Sequence, residues 1–157
     1  MSTQSNAGVK FKLSAAAPAT YNAAGFAALT FTEIGEVKTG GDFGKTFQVI
    51  TSQVLSRRGT TKKKGTFDAG ALNMSIEIDP EDNGQELAEV AVDSDADYSV
   101  CIELQDGTPY YLRGLVTKFT TSVGGPNDML VGAIQIDLQS FHDAAGDEVA
   151  SIKGVAP

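Results

Sequence analysis

The sequence predicts a mainly β protein: an antiparallel β-sandwich or partly open barrel with one flanking α-helix. Three observations carry this expectation. Apolar and polar residues alternate strictly in 72–79 and again in 98–105, the pattern of half-buried antiparallel strands. Only 85–92 has the helical period instead, with Leu87, Val90 and Ala91 at i, i+3 and i+4. Turn-forming clusters, TGGDFG, DPEDNG, DG and GGPND, punctuate the remainder.

Taken in order, 27–37 reads as a strand around Leu29, Phe31 and Ile34, and 39–44 as a glycine-rich turn. KTFQVITSQVLS, 45–56, is a second strand with Phe47 and Val49 on one face. In the third, Leu72, Met74, Ile76 and Ile78 face one way, against Asn73, Ser75, Glu77 and Asp79. DPEDNG stops it, and Glu81 and Asp82 sit where a helix dipole favours acids, ahead of QELAEVAV. Asp106–Gly107 marks a hairpin between 98–105 and 109–123, with Gly114 where the alternation slips, as at a bulge. MLVGAIQIDLQ, 129–139, is the last clear strand. Residues 1–25, rich in Ala, Ser and Asn without periodicity, read as a flexible arm, 26–141 as the β domain and 142–157 as a C-terminal tail.

A chain of 157 residues suits one domain, able to bury roughly 70% of its unfolded surface. Its single cysteine, Cys101, excludes an internal disulfide and reads as a small core residue of its strand. No apolar run reaches the roughly 18 residues of a membrane span, so no membrane partner is expected. LSAAAPATYNAAG is too rich in Ala, Ser and Pro to act as the hydrophobic centre of a secretion signal.

Charge is unevenly distributed. Residues 1–64 carry nine basic and three acidic side chains, a net of +6, whereas 65–157 carry three and seventeen, a net of −14. Faces of opposite sign favour ordered association between copies. Within the first part, Arg57, Arg58, Lys62, Lys63 and Lys64 place five of the twelve basic residues in eight positions, between two strands.

Motifs that would carry chemistry fall short. GGDFGKT has the Gly44-Lys45-Thr46 end of a phosphate loop, but Thr39 stands at the first glycine and a strand-like FQVIT follows where a helix is required. Asp79, Glu81, Asn83 and Gly84 imitate a calcium loop, yet Val90 occupies the position of its bidentate glutamate. His142 is the sole histidine and has no nucleophile directed to it. No enzyme activity and no cofactor or metal is expected.

The order of these elements over about 28–139 resembles the tail tube (major tail) proteins of long-tailed, siphophage-type bacteriophages. The residues that carry the resemblance are the turn GGDFG, the charged segment leading to KGTFDAGALNMSIEIDPED, the helix GQELAEVAV, the hairpin YSVCIELQDGTPYYLRGLVTKF and the closing MLVGAIQIDLQ. What this resemblance implies is a structural virion protein, made in the host bacterial cytoplasm and located in the phage tail. It would form homohexameric rings that stack around a tape-measure protein, between tail initiator and terminator proteins, into a conduit for DNA ejection. In that setting Glu77, Asp79, Glu103 and Asp137 are candidates for the lumen lining, where negative charge lets DNA slide.

The basic segment then has two readings. As a DNA grip, five phosphate contacts would give a log–log salt slope of about −4.5, but no aromatics interleave it and the −14 remainder would repel DNA. As an inter-subunit contact, it would meet acids such as Asp93, Asp95 and Asp97 of another copy, and this is the reading favoured. The rival functions are another tube-forming or tail-completion protein (a type VI secretion tube-like subunit or a tail terminator) and a monomeric β-sandwich binding module. The absence of Trp counts against the last.

Overall fold

The computed structural model describes residues 3–156. In chain order its elements are β1 (Lys10–Ser14), α1 (Ala23–Ala27), β2 (Thr32–Ile34), β3 (Val37–Thr39), β4 (Thr46–Ser52), β5 (Thr61–Asp68), β6 (Ala71–Glu77), α2 (Asn83–Val92), β7 (Tyr98–Glu103), β8 (Pro109–Ser122), β9 (Val131–Gln139), β10 (Phe141–His142), β11 (Glu148–Val149) and β12 (Ile152–Lys153). The large antiparallel sheet runs β2-β1-β7-β8-β9-β6-β3, with β12 added to β8. Two short hairpins, β4–β5 and β10–β11, stand outside it.

The edge strands of the large sheet, β2 and β3, are consecutive in the chain. The sheet therefore curls until its edges are linked by Gly35 and Glu36, with no ladder between them, which makes a partly open barrel. At this seam Glu36 has φ 58°, a left-handed conformation rare outside glycine, and its carbonyl accepts from the Glu77 amide at 2.9 Å. Buried Gln85 closes the seam. Its Nε2 donates to the carbonyls of Gly35 (3.0 Å) and Glu77 (2.8 Å), and its Oε1 accepts from the Asp79 amide (3.0 Å).

The same corner starts α2. Asp82 is the N-cap, accepting from the Gln85 amide at 2.9 Å and from the Gly35 amide at 3.1 Å. Gly84 follows because any Cβ there would overlap the Glu33 carbonyl. Ala88 and Ala91, fully buried, bring the helix close to the sheet and join one core with Leu13, Ile34, Leu72, Ile76, Leu112, Val116, Ile134 and Ile136.

A second, smaller cluster covers the outer face of β7 and β8. Phe26 of α1 stacks on Tyr111, ring centroids 5.3 Å apart, and Tyr21, Phe31, Phe141 and Ile152 pack around them. Cys101, on the face of β7 opposite Val100 and Ile102, is buried by this cluster, and burial pushes its thiol up to about 11.

Several expectations need correction. The segment read as a flexible arm contains β1, which is paired on both sides, Lys10 with Glu103 and Phe11 with Ile34, and buries Leu13 completely. Ser99 Oγ donates to the Ala16 carbonyl at 2.7 Å, and buried Arg113 donates to both Ser99 Oγ and Ala16, so the following residues are held to the sheet as well. The expected strand over 27–37 is two, split at the seam. Gly114 lies in regular register with Tyr98 and Leu138, and the bulge falls between Val116 and Lys118. Glycine is needed at 114 because a Cβ would come within 2.8 Å of the Asp137 carbonyl. Finally, the basic segment is only partly a connection: Lys62, Lys63 and Lys64 lie in β5.

Candidate assembly surfaces

The β4–β5 hairpin is the most exposed ordered feature. Its strands pair Val49 with Lys64, Ile50 with Lys63 and Thr51 with Lys62, and the tip spans 53–60. Only its root is anchored. Phe67 reaches the main core and contacts Phe47 at 5.5 Å between centroids, and Lys45 and Lys64 lie over the Phe67 and Phe47 rings. The two strands form a sheet of their own, and each has its extensive contact only with the other.

Val49 and Ile50 are 62% and 58% exposed, and Leu55 at the tip is fully exposed with Val54 beside it. Arg57 and Arg58 sit on that tip. None of the five bases forms an ion pair among the described residues, where Lys12–Glu103 is the only one. Two strands without a covering layer are marginal in water, and exposed apolar side chains on both of their faces, Val49 on one and Ile50 on the other, mark surfaces that something else covers. The charge run is plain in the sequence, whereas the exposure of Val49, Ile50, Val54 and Leu55 is not, because such residues read there as inward.

The proposed acidic partners are close together in the fold. Asp93 is the C-cap of α2, and Asp95 and Asp97 lie in the connection to β7. Asp93 and Asp95 are exposed and Asp97 is half-buried. The last turn of α2 has no basic residue, so the negative end of its dipole adds to these charges. The exposed residues Glu86, Glu89 and Val90 extend the acidic surface back along the same helix.

The four acids considered for a lumen do not form one group. Glu77 and Asp137 share the outer face of the β6–β9 pair, near its opposite ends, with Asn73, Ser75 and Gln135 between them. Lys118 of β8 stands beside Gln135, so this face is polar with an acidic excess. Asp79 lies in the turn before α2, its Oδ1 accepting from the Glu81 amide. Glu103 is on β7, where it holds Lys12 at 2.5 Å and raises that lysine's pKa through the hydrogen bond. It borders a cavity of about 380 Å3 with Leu29, Phe31 and Tyr111, away from the β6–β9 face.

Among the described residues no three His, Cys, Asp or Glu side chains are arranged to hold a metal ion, and no helix is long and apolar enough to cross a membrane. His142 is exposed on β10.

No family model and no curated protein matches the sequence. Solved structures share the fold. A chain of the anti-feeding prophage baseplate, a six-fold symmetrised structure, matches with a TM-score of 0.64 at 12% identity over 88% of this chain and 94% of that one. A chain from the tube-terminating cap of the anti-feeding prophage gives 0.57 at 12% identity, over 98% and 95%. A chain of the PVC sheath–tube complex, from an extracellular contractile injection system in its extended state, gives 0.56 at 10% identity, over 94% and 89%. At these identities the likeness is one of fold: an antiparallel, tail-tube-like architecture with one main helix, its barrel not closed.

Proposed function

We propose that this chain is a structural tail protein that assembles with copies of itself, as stacked hexameric rings, into the tube of a siphophage-type virion. The observation that carries this reading is the β4–β5 hairpin: it stands outside the large sheet, exposes Val49, Ile50, Val54 and Leu55, and is fivefold basic with no ion pair among the described residues. An edge of this kind is a liability for a monomer and an asset for a repeating assembly. The likeness to chains of a tube complex, a cap and a six-fold symmetrised baseplate supports the same class of assembly.

In this reading Arg57, Arg58, Lys62, Lys63 and Lys64 bind a neighbouring subunit, and the −14 of residues 65–157 supplies their partners. The β6–β9 face with Glu77 and Asp137 lines the lumen, where its acidic excess keeps DNA from sticking. Tape-measure, initiator and terminator proteins are the expected tail partners, and the chain works as a conduit with no catalytic step. A second reading, a ring that terminates a tube, is favoured by the likeness to the tube-terminating cap.

Analytical ultracentrifugation at rising concentration separates these. A tube subunit passes from monomer to large polydisperse particles, a terminator stops at one ring, and a binding module stays monomeric throughout. The last outcome overturns the proposal.

A further inference from the structure

The hairpin root and the start of α2 lie at opposite ends of β6. β5 enters β6 through Ala69 and Gly70, so the hairpin root is at the Ala71 end. At the other end, beyond Glu77 and about 20 Å away along the strand, a groove of about 280 Å3 opens between α2 and the end of β8. Ile78, Pro80, Phe119 and Thr121 line it, and Asp79, Glu86 and Glu89 line it with acid. No lysine or arginine borders it. From its rim, exposed Val90 and Asp93 continue along the face of α2 that carries Glu86 and Glu89.

We infer that this groove receives the β4–β5 hairpin tip of a second copy, with Val54 and Leu55 entering beside Ile78 and Phe119 while Arg57 and Arg58 meet Asp79, Glu86 and Glu89. The inference rests on the tube reading and gives its basic hairpin a receiving surface. Three features select a second copy as the occupant. The two surfaces match in both respects, apolar centre to apolar centre and basic to acidic. Exposed Leu55 and the groove are each uncovered within the chain. A chain's own hairpin leaves from the far end and contributes no residue to the lining of its own groove.

The geometry also fixes the kind of contact. A knob at one end and a socket at the other make a head-to-tail interface, which forms a ring where the rotation between copies closes and a filament where it does not. With the hairpin root and the groove at opposite ends of β6, this contact is assigned to the stack, from ring to ring, and the contact around each ring is left to other surfaces. The acids Asp95 and Asp97 stand beyond the far end of α2 and take no part in it.

Cysteine cross-linking tests the pairing directly. One population carries Leu55→Cys, another Val90→Cys, and the two are mixed, assembled and oxidised. The control replaces the second variant with Val155→Cys, more exposed than Val90 but outside the surface. The 55–90 pair is expected to cross-link at least about tenfold more than 55–155, and Glu86→Lys with Glu89→Lys to raise the concentration needed for stacking by at least about tenfold. Adding Arg57→Glu and Arg58→Glu to that double variant is expected to recover stacking. Both acids are exposed, and a thermal melt confirms that the variants fold.

Wild-type particles that stack without a preferred 55–90 link, or that ignore the charge reversal, overturn the docking and leave the tube reading standing. Single rings that never stack overturn the docking and favour the terminator. A wild-type chain that stays monomeric overturns both.

Discussion

Gln85 takes the place of a missing ladder. It satisfies two carbonyls and one amide where the sheet has no strand-to-strand bonds. Gln85→Leu keeps the volume but strands those three backbone groups, so a loss of about 2–3 kcal/mol is expected, read as a lower urea midpoint with unchanged slope. A change below about 0.5 kcal/mol would mean that water serves the seam as well as the side chain does. Titration at the outer face gives a second expectation. Burial raises Cys101 from 9.0 to about 11 and raises Tyr111, and the hydrogen bond that Lys12 donates to Glu103 raises Lys12. In each case the folded state holds its proton more tightly than the unfolded one. The stability they give is complete below the unfolded values and declines as pH rises through the folded ones. Stability is therefore expected to fall above about pH 9, and the Cys101 thiol to resist a disulfide reagent at about pH 8 until the chain is unfolded. Rapid labelling of the native protein would contradict this. Cys101 is legible in the sequence as a small residue of its strand, although the second cluster that buries its face is not; Gln85 is not legible, because its partners are backbone atoms of Gly35, Glu77 and Asp79 that only the fold assembles.

The β4–β5 hairpin separates folding from assembly. Its strands contribute to the core only through Phe67, so replacing Lys62, Lys63 and Lys64 with Glu is expected to change monomer stability by less than about 0.5 kcal/mol while abolishing large particles. A large drop in melting temperature would instead make the hairpin part of the fold. DNA retention measured on the same variant separates the two readings of the basic run: assembly intact with DNA binding lost would mean a grip, not a contact. Elements with one buried face are readable from the sequence. β6 shows Leu72, Met74 and Ile76 inward, and β9 shows Ile134, Ile136 and Leu138. β1 escapes such a reading because it is five residues long, flanked by Ala and Ser, and its partner strand β7 begins more than eighty residues later. β5 looks like a connection because a free-standing hairpin buries no face, so no alternation survives among its lysines. The seam at Gly35–Glu36 is hidden within a run of strand-forming residues, since a change of partner leaves no mark on their hydrophobicity.

Across the molecule, charge and shape are arranged along one direction. The basic hairpin leaves one end of β6, the acidic groove opens at the other, and the polar face with Glu77 and Asp137 lies between. Association driven by this arrangement combines exposed pairs worth about 0–1 kcal/mol each with burial of the apolar tip, so salt weakens it without eliminating it. The 98–139 region and α2 make the fold class legible in the sequence, because their periodicities are strong. The direction of assembly is not legible there, because it depends on which ends of the sheet the hairpin and α2 occupy. The most direct test of self-assembly is negative-stain electron microscopy of the purified full-length chain over rising concentration and salt. Hollow six-fold rings that stack into tubes with an open lumen, shorter at high salt, are expected. A chain that remains a dispersed monomer at every concentration and salt would contradict self-assembly.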